Sequence, residues 1–171
     1  MAILPELIQF FRPWQHLYAN STTLETTVTS LHLVALLFGG GFAVAADRVT
    51  LRLSAADEAA RARQLAELHA IHRPVLIALA VLFVSGVALA TSDVKTYATT
   101  PVFYIKLGLV ALLLANGGVL QQVETRLRRA ARQGDGARVP ALWRLLRTSS
   151  WCSLALWTAT LVAGVALVNV S

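Results

Sequence analysis

One cysteine and one methionine are all the sulfur this chain of 171 residues carries. Cys152 has no partner for an internal disulfide, and there is no CxxC pair or Cys/His zinc spacing, so a disulfide scaffold and a zinc module are both excluded. Charge is scarce as well. Asp, Glu, Lys and Arg make up 14% of the chain against 56% hydrophobic residues, with a mean hydropathy of +0.61, which is not the composition of a soluble domain. Five Pro and ten Gly are ordinary usage, which removes collagen-like and low-complexity readings, and the apolar content removes intrinsic disorder. There is no Ser/His/Asp arrangement, HExxH, P-loop, GxGxxG or group of intramembrane carboxylates of the kind a proton pump uses, so no catalysis is expected.

What is present is a set of long apolar runs. A hydrocarbon core about 30 Å thick needs about 20 mostly apolar helical residues to cross it. Residues 24–46, 74–91, 101–121 and 149–170 meet that requirement, the first with Glu25 at its mouth and the third with Lys106 about 8 Å from its start. The predicted fold is an all-α integral membrane protein, an up-down-up-down bundle of four transmembrane helices. Residues 21–171 form this single domain, and residues 1–20 form an interfacial aromatic segment ahead of it. Lys and Arg set the orientation. Only Arg12 precedes the first span and only Lys95 lies between the second and third. Arg48, Arg52, Arg61, Arg63 and Arg73 crowd one remaining connection, and Arg126, Arg128, Arg129, Arg132, Arg138, Arg144 and Arg147 the other. Both termini are therefore expected outside a bacterial inner membrane, with the Arg-rich connections in the cytoplasm. The excess of 15 Lys+Arg over 9 Asp+Glu reads as a topology signal, not as nucleic-acid binding.

The N-terminus lacks the basic region and cleavage site of a secretory signal and is expected to stay attached. Phe10, Phe11, Trp14 and Tyr18 mark it as a segment lying along the outer interface. Thr22 and Glu25 stand in capping-box spacing at the first span, and Ser54 with Asp57 gives a similar signal before a helical connection. Pro74 predicts a kink or break where that connection enters the second span. Pro101 and Pro140 sit near the starts of the third and fourth helices, and Gly134-Asp135-Gly136 marks the turn between them.

Lipid tails are as apolar as Leu, so helix association needs close packing and a few buried polar contacts. Gly39, Gly40, Gly41, Gly86, Gly117 and Gly164 are the candidate packing positions, and Asn116, about 22 Å along the third helix, is the candidate interhelical donor. His32, about 12 Å into the first span, is the deepest ionisable side chain. It is either hydrogen-bonded to a neighbouring helix or a ligand for haem, another tetrapyrrole or copper, with His16 and Lys106 as the other groups on its side of the membrane. His69 and His72, three apart, share a helix face that could hold a metal ion with Glu67 as the nearest carboxylate, though the Arg-rich surroundings favour solvated side chains.

Leu31-His32-Leu33-Val34 followed by Gly39-Gly40-Gly41, the basic end from Asp47-Arg48 to Leu51-Arg52, Ser85-Gly86, and Thr100-Pro101-Val102-Phe103-Tyr104-Ile105-Lys106 running on to Asn116 resemble a family of uncharacterised bacterial four-helix inner-membrane proteins. That family is similar to the membrane domain of copper-resistance D-type (CopD-like) proteins. The resemblance covers roughly residues 28–121. It implies a four-helix bundle with His32 and Lys106 on the family's recurring His and Lys positions. Copper transport is implied for the copper-resistance branch, whereas here Met1 is the only methionine and no Met/His-rich path exists. Three functions follow in order of preference. The first is a non-catalytic accessory or structural subunit, partnered in the bilayer by other membrane subunits or by further copies of itself. The second is a haem or tetrapyrrole redox carrier centred on His32, and the third a copper or small-solute permease.

Overall fold

The computed structural model describes residues 3–53 and 57–170. Its elements are α1 (Ile3–Ala19), α2 (Thr22–Arg52), α3 (Glu58–Ser92), α4 (Val94–Thr99), α5 (Pro101–Gln133) and α6 (Val139–Val170), with no strand among the described residues. Helices α2, α3, α5 and α6 are each long and apolar enough to cross a membrane.

The helix ends follow local chemistry. Ser21 caps α2 by accepting from the Leu24 N–H at 3.3 Å, so the cap lies one residue ahead of the expected Thr22, which is already helical. Asp57 caps α3 through a 2.8 Å bond from the Ala60 N–H, while Ser54 lies outside the described residues. Gly134 ends α5 with φ 68°, a left-handed conformation that a side chain would strain, and its N–H donates to the Ala130 carbonyl.

Three helix boundaries refine the sequence expectation, and at Pro74 the expected break does not occur. The connecting helix and the second span form one element of 35 residues that continues through Pro74. One missing N–H removes a single hydrogen bond, and the turns on both sides remain bonded. Helix α6 starts at Val139, ten residues ahead of the apolar span and where Pro140 marks its expected beginning, in the first turn where the missing donor matters least. A short helix, α4, occupies what was expected to be a plain turn, because Asp93 caps it at the Thr96 N–H.

Helices of 31, 35, 33 and 32 residues are roughly 46–53 Å long at about 1.5 Å per residue, well beyond a hydrocarbon core of about 30 Å. The surplus of α3, α5 and α6 gathers at the Arg-rich end, and there the chain builds a water-type core. Val123, Leu127, Trp143 and Leu146 are buried, with Leu53, Leu65, Leu68, Leu120, Val139 and Leu142 packed around them. Leu33, Leu37, Ile77, Phe83, Ile105, Leu112, Val162 and Val165, all within the apolar runs, are exposed. The contrast is compatible with a bilayer around the apolar runs: water drives Leu and Trp inward, whereas lipid would solvate Leu as well as another helix does.

Contacts fix the relative directions. Thr50 meets Gln64, Gly39 meets Ala78 and His32 meets Ser85, so α2 and α3 run antiparallel. Asn116 meets Ser149 and Lys106 meets Gly164, so α5 and α6 do too. Arg147 donates to the Leu51 carbonyl and Trp157 covers Gly40, which joins α6 to α2. The order around the molecule is thus α3, α2, α6, α5. The ring stays open because α3 and α5 touch sparsely, bridged at the Arg-rich end by Arg128, which donates to the Leu65 carbonyl. At the opposite end α1 lies against α2, α3 and α4, with Trp14 Nε1 donating to the Ala88 carbonyl at 3.1 Å.

Candidate functional site

His32 is half-buried between α2 and α3, with Nδ1 2.9 Å from the Ser85 hydroxyl. Ser85 places its own proton on the Val81 carbonyl at 2.6 Å, so its oxygen accepts from His32 Nδ1–H. That tautomer leaves the lone pair of the neutral ring on Nε2, the nitrogen then free to bind a metal. A Cβ on Gly86 would stand 3.4 Å from His32 Cε1, so this glycine lets the ring lie against α3. Lys106 is within electrostatic reach of the ring and runs along Gly164, where an added Cβ would be 3.6 Å from Nζ. His16 is exposed on α1, and its carbonyl accepts from the Asn20 side chain at 2.8 Å.

The candidate packing glycines divide by helix face. A Cβ on Gly39 would be 3.0 Å from Ala78 Cβ, and one on Gly40 3.2 Å from the Trp157 ring. Gly41 and Gly117 have nothing within 4 Å of such an atom: Gly41 is turned about 100° from Gly40 around α2, and Gly117 borders an open space between α3 and α5. The packing expected of them is not made within this chain. Asn116 donates from α5 to the Ser149 carbonyl on α6 at 3.0 Å.

At the Arg-rich end His69 Nδ1 lies 3.8 Å from Glu124 Oε1, and Arg128 Nε lies 2.9 Å from the same oxygen. The carboxylate beside His69 is therefore Glu124 of α5 and not Glu67 of its own helix. Among the described residues no group of three or more His, Cys, Asp and Glu side chains is placed to hold a metal ion, so His69 and His72 gain no further ligand. His72 lines a cavity instead.

That cavity, of about 300 Å³, fills the open seam between α3 and α5 and is floored by α2 and α6. Leu76, Leu79, Leu113, Leu114 and Trp157 make most of its wall. Asp47, Thr50, His72, Gln121, Glu124, Ser150 and Ser153 supply the polar groups. Asp47 is only 4% exposed. Its carboxyl group faces the hydroxyls of Ser153 and Ser150, yet its Oδ2 and the Ser150 Oγ have no hydrogen-bond partner. Among the described residues no basic nitrogen comes within 4.0 Å of Asp47, whereas Glu124 is held by Arg128. A Gln64 amide that donates to Thr50 Oγ1 at 3.0 Å and to the Ala46 carbonyl at 3.1 Å fixes the adjoining stretch of α2. Neither this cavity nor the open apolar groove of about 690 Å³ between α5 and α6 is lined by His32.

The site missed in the sequence is thus Asp47 with Ser150 and Ser153. The available signal was a carboxylate following directly on an apolar run, 47 being in register with the buried face that carries Val28, Ala35, Gly39 and Thr50. Comparison with known proteins adds no relative, since no family model, curated protein or solved structure matches the chain.

Proposed function

We infer that this chain is an up-down-up-down four-helix integral protein of a bacterial inner membrane. Both termini lie outside, residues 1–20 lie along the outer interface, and the protein serves as a non-catalytic subunit of a larger membrane assembly. The observation that carries this reading is the open seam between α3 and α5 with the buried Asp47 carboxyl group inside it. Hydrocarbon offers no hydrogen bonds, so the few polar groups of a seam left open to lipid are costly until another protein surface covers them. Gly41, bare on α2, and Gly117, bare at the seam on α5, add places where a partner helix can approach closely. The carrier reading centred on His32 rests on one ligand atom, Nε2, and neither the seam cavity nor the α5–α6 groove reaches it.

Extraction from native membranes in polymer-bounded lipid discs, followed by native mass spectrometry, tests the subunit reading. The expected species contains the 18.4 kDa chain together with at least one further protein chain. A species of the single chain with lipid alone contradicts it.

A further inference from the structure

We propose that the seam cavity is a binding site for a small organic ammonium ion with an apolar body, held by Asp47 and Ser150. The proposal goes beyond the subunit reading and rests on the cavity alone.

The chemistry of the wall selects the ligand. A buried carboxylate without a paired charge is unstable in an apolar setting, and Asp47 has neither a basic partner nor a bond to its Oδ2. Ser150, 1% exposed on α6, sets its hydroxyl toward that carboxyl group, as Ser153 does. Hydroxyls can donate to the carboxyl group but cannot balance its charge, whereas a primary ammonium supplies three N–H donors and one charge. Glu124, the other carboxylate in the wall, already has Arg128 at 2.9 Å, so the cavity has room for one added positive charge, not two. This argues against a divalent ion, as does the absence of a gathered His/Cys/Asp/Glu ligand set among the described residues.

The rest of the wall fixes the body of the ligand. A volume of about 300 Å³ is far more than a bare cation fills and lies at the lower end for small-molecule sites. Leu76, Leu79, Leu113 and Leu114 give it apolar sides, and Trp157 adds an aromatic surface that attracts cations. A sodium ion would leave that apolar space unused, and a neutral apolar molecule would leave Asp47 uncompensated.

The test is equilibrium dialysis of labelled 2-phenylethylammonium against the full chain in lipid discs, with empty discs subtracted. Wild type is expected to bind saturably, near one per chain, and to be competed by unlabelled amine but not by 2-phenylethanol or by excess sodium. Asp47→Asn is expected to weaken binding at least tenfold, equivalent to about 1.4 kcal/mol. Ser150→Ala, which removes one oxygen at a buried position and leaves the volume nearly unchanged, is expected to weaken it several-fold while folding normally, so the question remains decidable if Asp47→Asn does not fold. Asp135→Asn, at the surface beside Arg138, should bind as wild type does. Absence of saturable binding, unchanged affinity in both Asp47→Asn and Ser150→Ala, or equal competition by 2-phenylethanol overturns the proposal. Displacement by sodium alone would reassign the site to an inorganic cation and overturn it equally.

Discussion

The Trp157 ring lies flat enough against α2 that a Cβ on Gly40 would stand 3.2 and 3.3 Å from two of its carbons. Close approach of α2 and α6 thus depends on the missing side chain at 40, and the next residue, Gly41, has no such neighbour. Gly40→Ala should lower stability by about 1–3 kcal/mol through overpacking. Gly41→Ala should raise it by about 0.5–1 kcal/mol, because Ala is the better helix former and nothing obstructs it. Unfolding of both variants in the same detergent checks the sign: a loss at 41 equal to that at 40 would place both against a neighbour.

His32 and Ser85 form a polar contact between α2 and α3 at 2.9 Å. A double-mutant cycle on His32→Ala and Ser85→Ala should give a coupling of about 0.6–2 kcal/mol, the range for interhelical hydrogen bonds in membranes. The absorption spectrum of wild type and His32→Ala, purified identically without added haem, separates this contact from ligation. No Soret band in either is the expected result. A Soret band lost only in His32→Ala would establish the carrier.

Asn116 joins α5 to α6 through the Ser149 carbonyl. Asn116→Ala should cost about 1–2 kcal/mol in the same unfolding assay, and Asn116→Gln should recover part of it. A neutral Asn116→Ala would show that the amide bond is not formed in the bilayer.

Tyr97 of α4 is half-buried, and burial, helped by the nearby Asp93 and Tyr18, pushes its hydroxyl above the ordinary tyrosine value of 10.0. Because the folded state disfavours the phenolate, the stability Tyr97 contributes is intact below pH 10.0 and is lost as pH rises through the raised value. Stability should therefore fall less steeply at alkaline pH for Tyr97→Phe than for wild type. Identical alkaline limbs would mean that the hydroxyl is solvated in the folded protein.

The apolar runs, the caps near Ser21, Asp57 and Gly134, and the donor role of Asn116 were all readable because each depends on local spacing or on one residue's chemistry. The cavity was not. Asp47, Glu124 and Ser150 sit on three different helices, and their meeting depends on how those helices rotate against each other. In the sequence Asp47 sits beside Arg48 and reads as part of the basic end. Only its place on the buried face of α2 separates it from that run. The continuous α3 escaped for a different reason: Pro74 signals a lost hydrogen bond, and the cost of one bond does not decide whether the helix continues.

The central claim is that another protein surface covers the seam between α3 and α5. A photo-reactive amino acid placed at Leu76 or Leu114, exposed residues at the mouth of the cavity, tests it in intact membranes, with Val165 on the outer face of α6 as the reference. Irradiation should join positions 76 and 114 to a protein partner, seen as a discrete heavier band, and position 165 to lipid. Lipid adducts alone at 76 and 114 would contradict the account and leave the seam open to the bilayer.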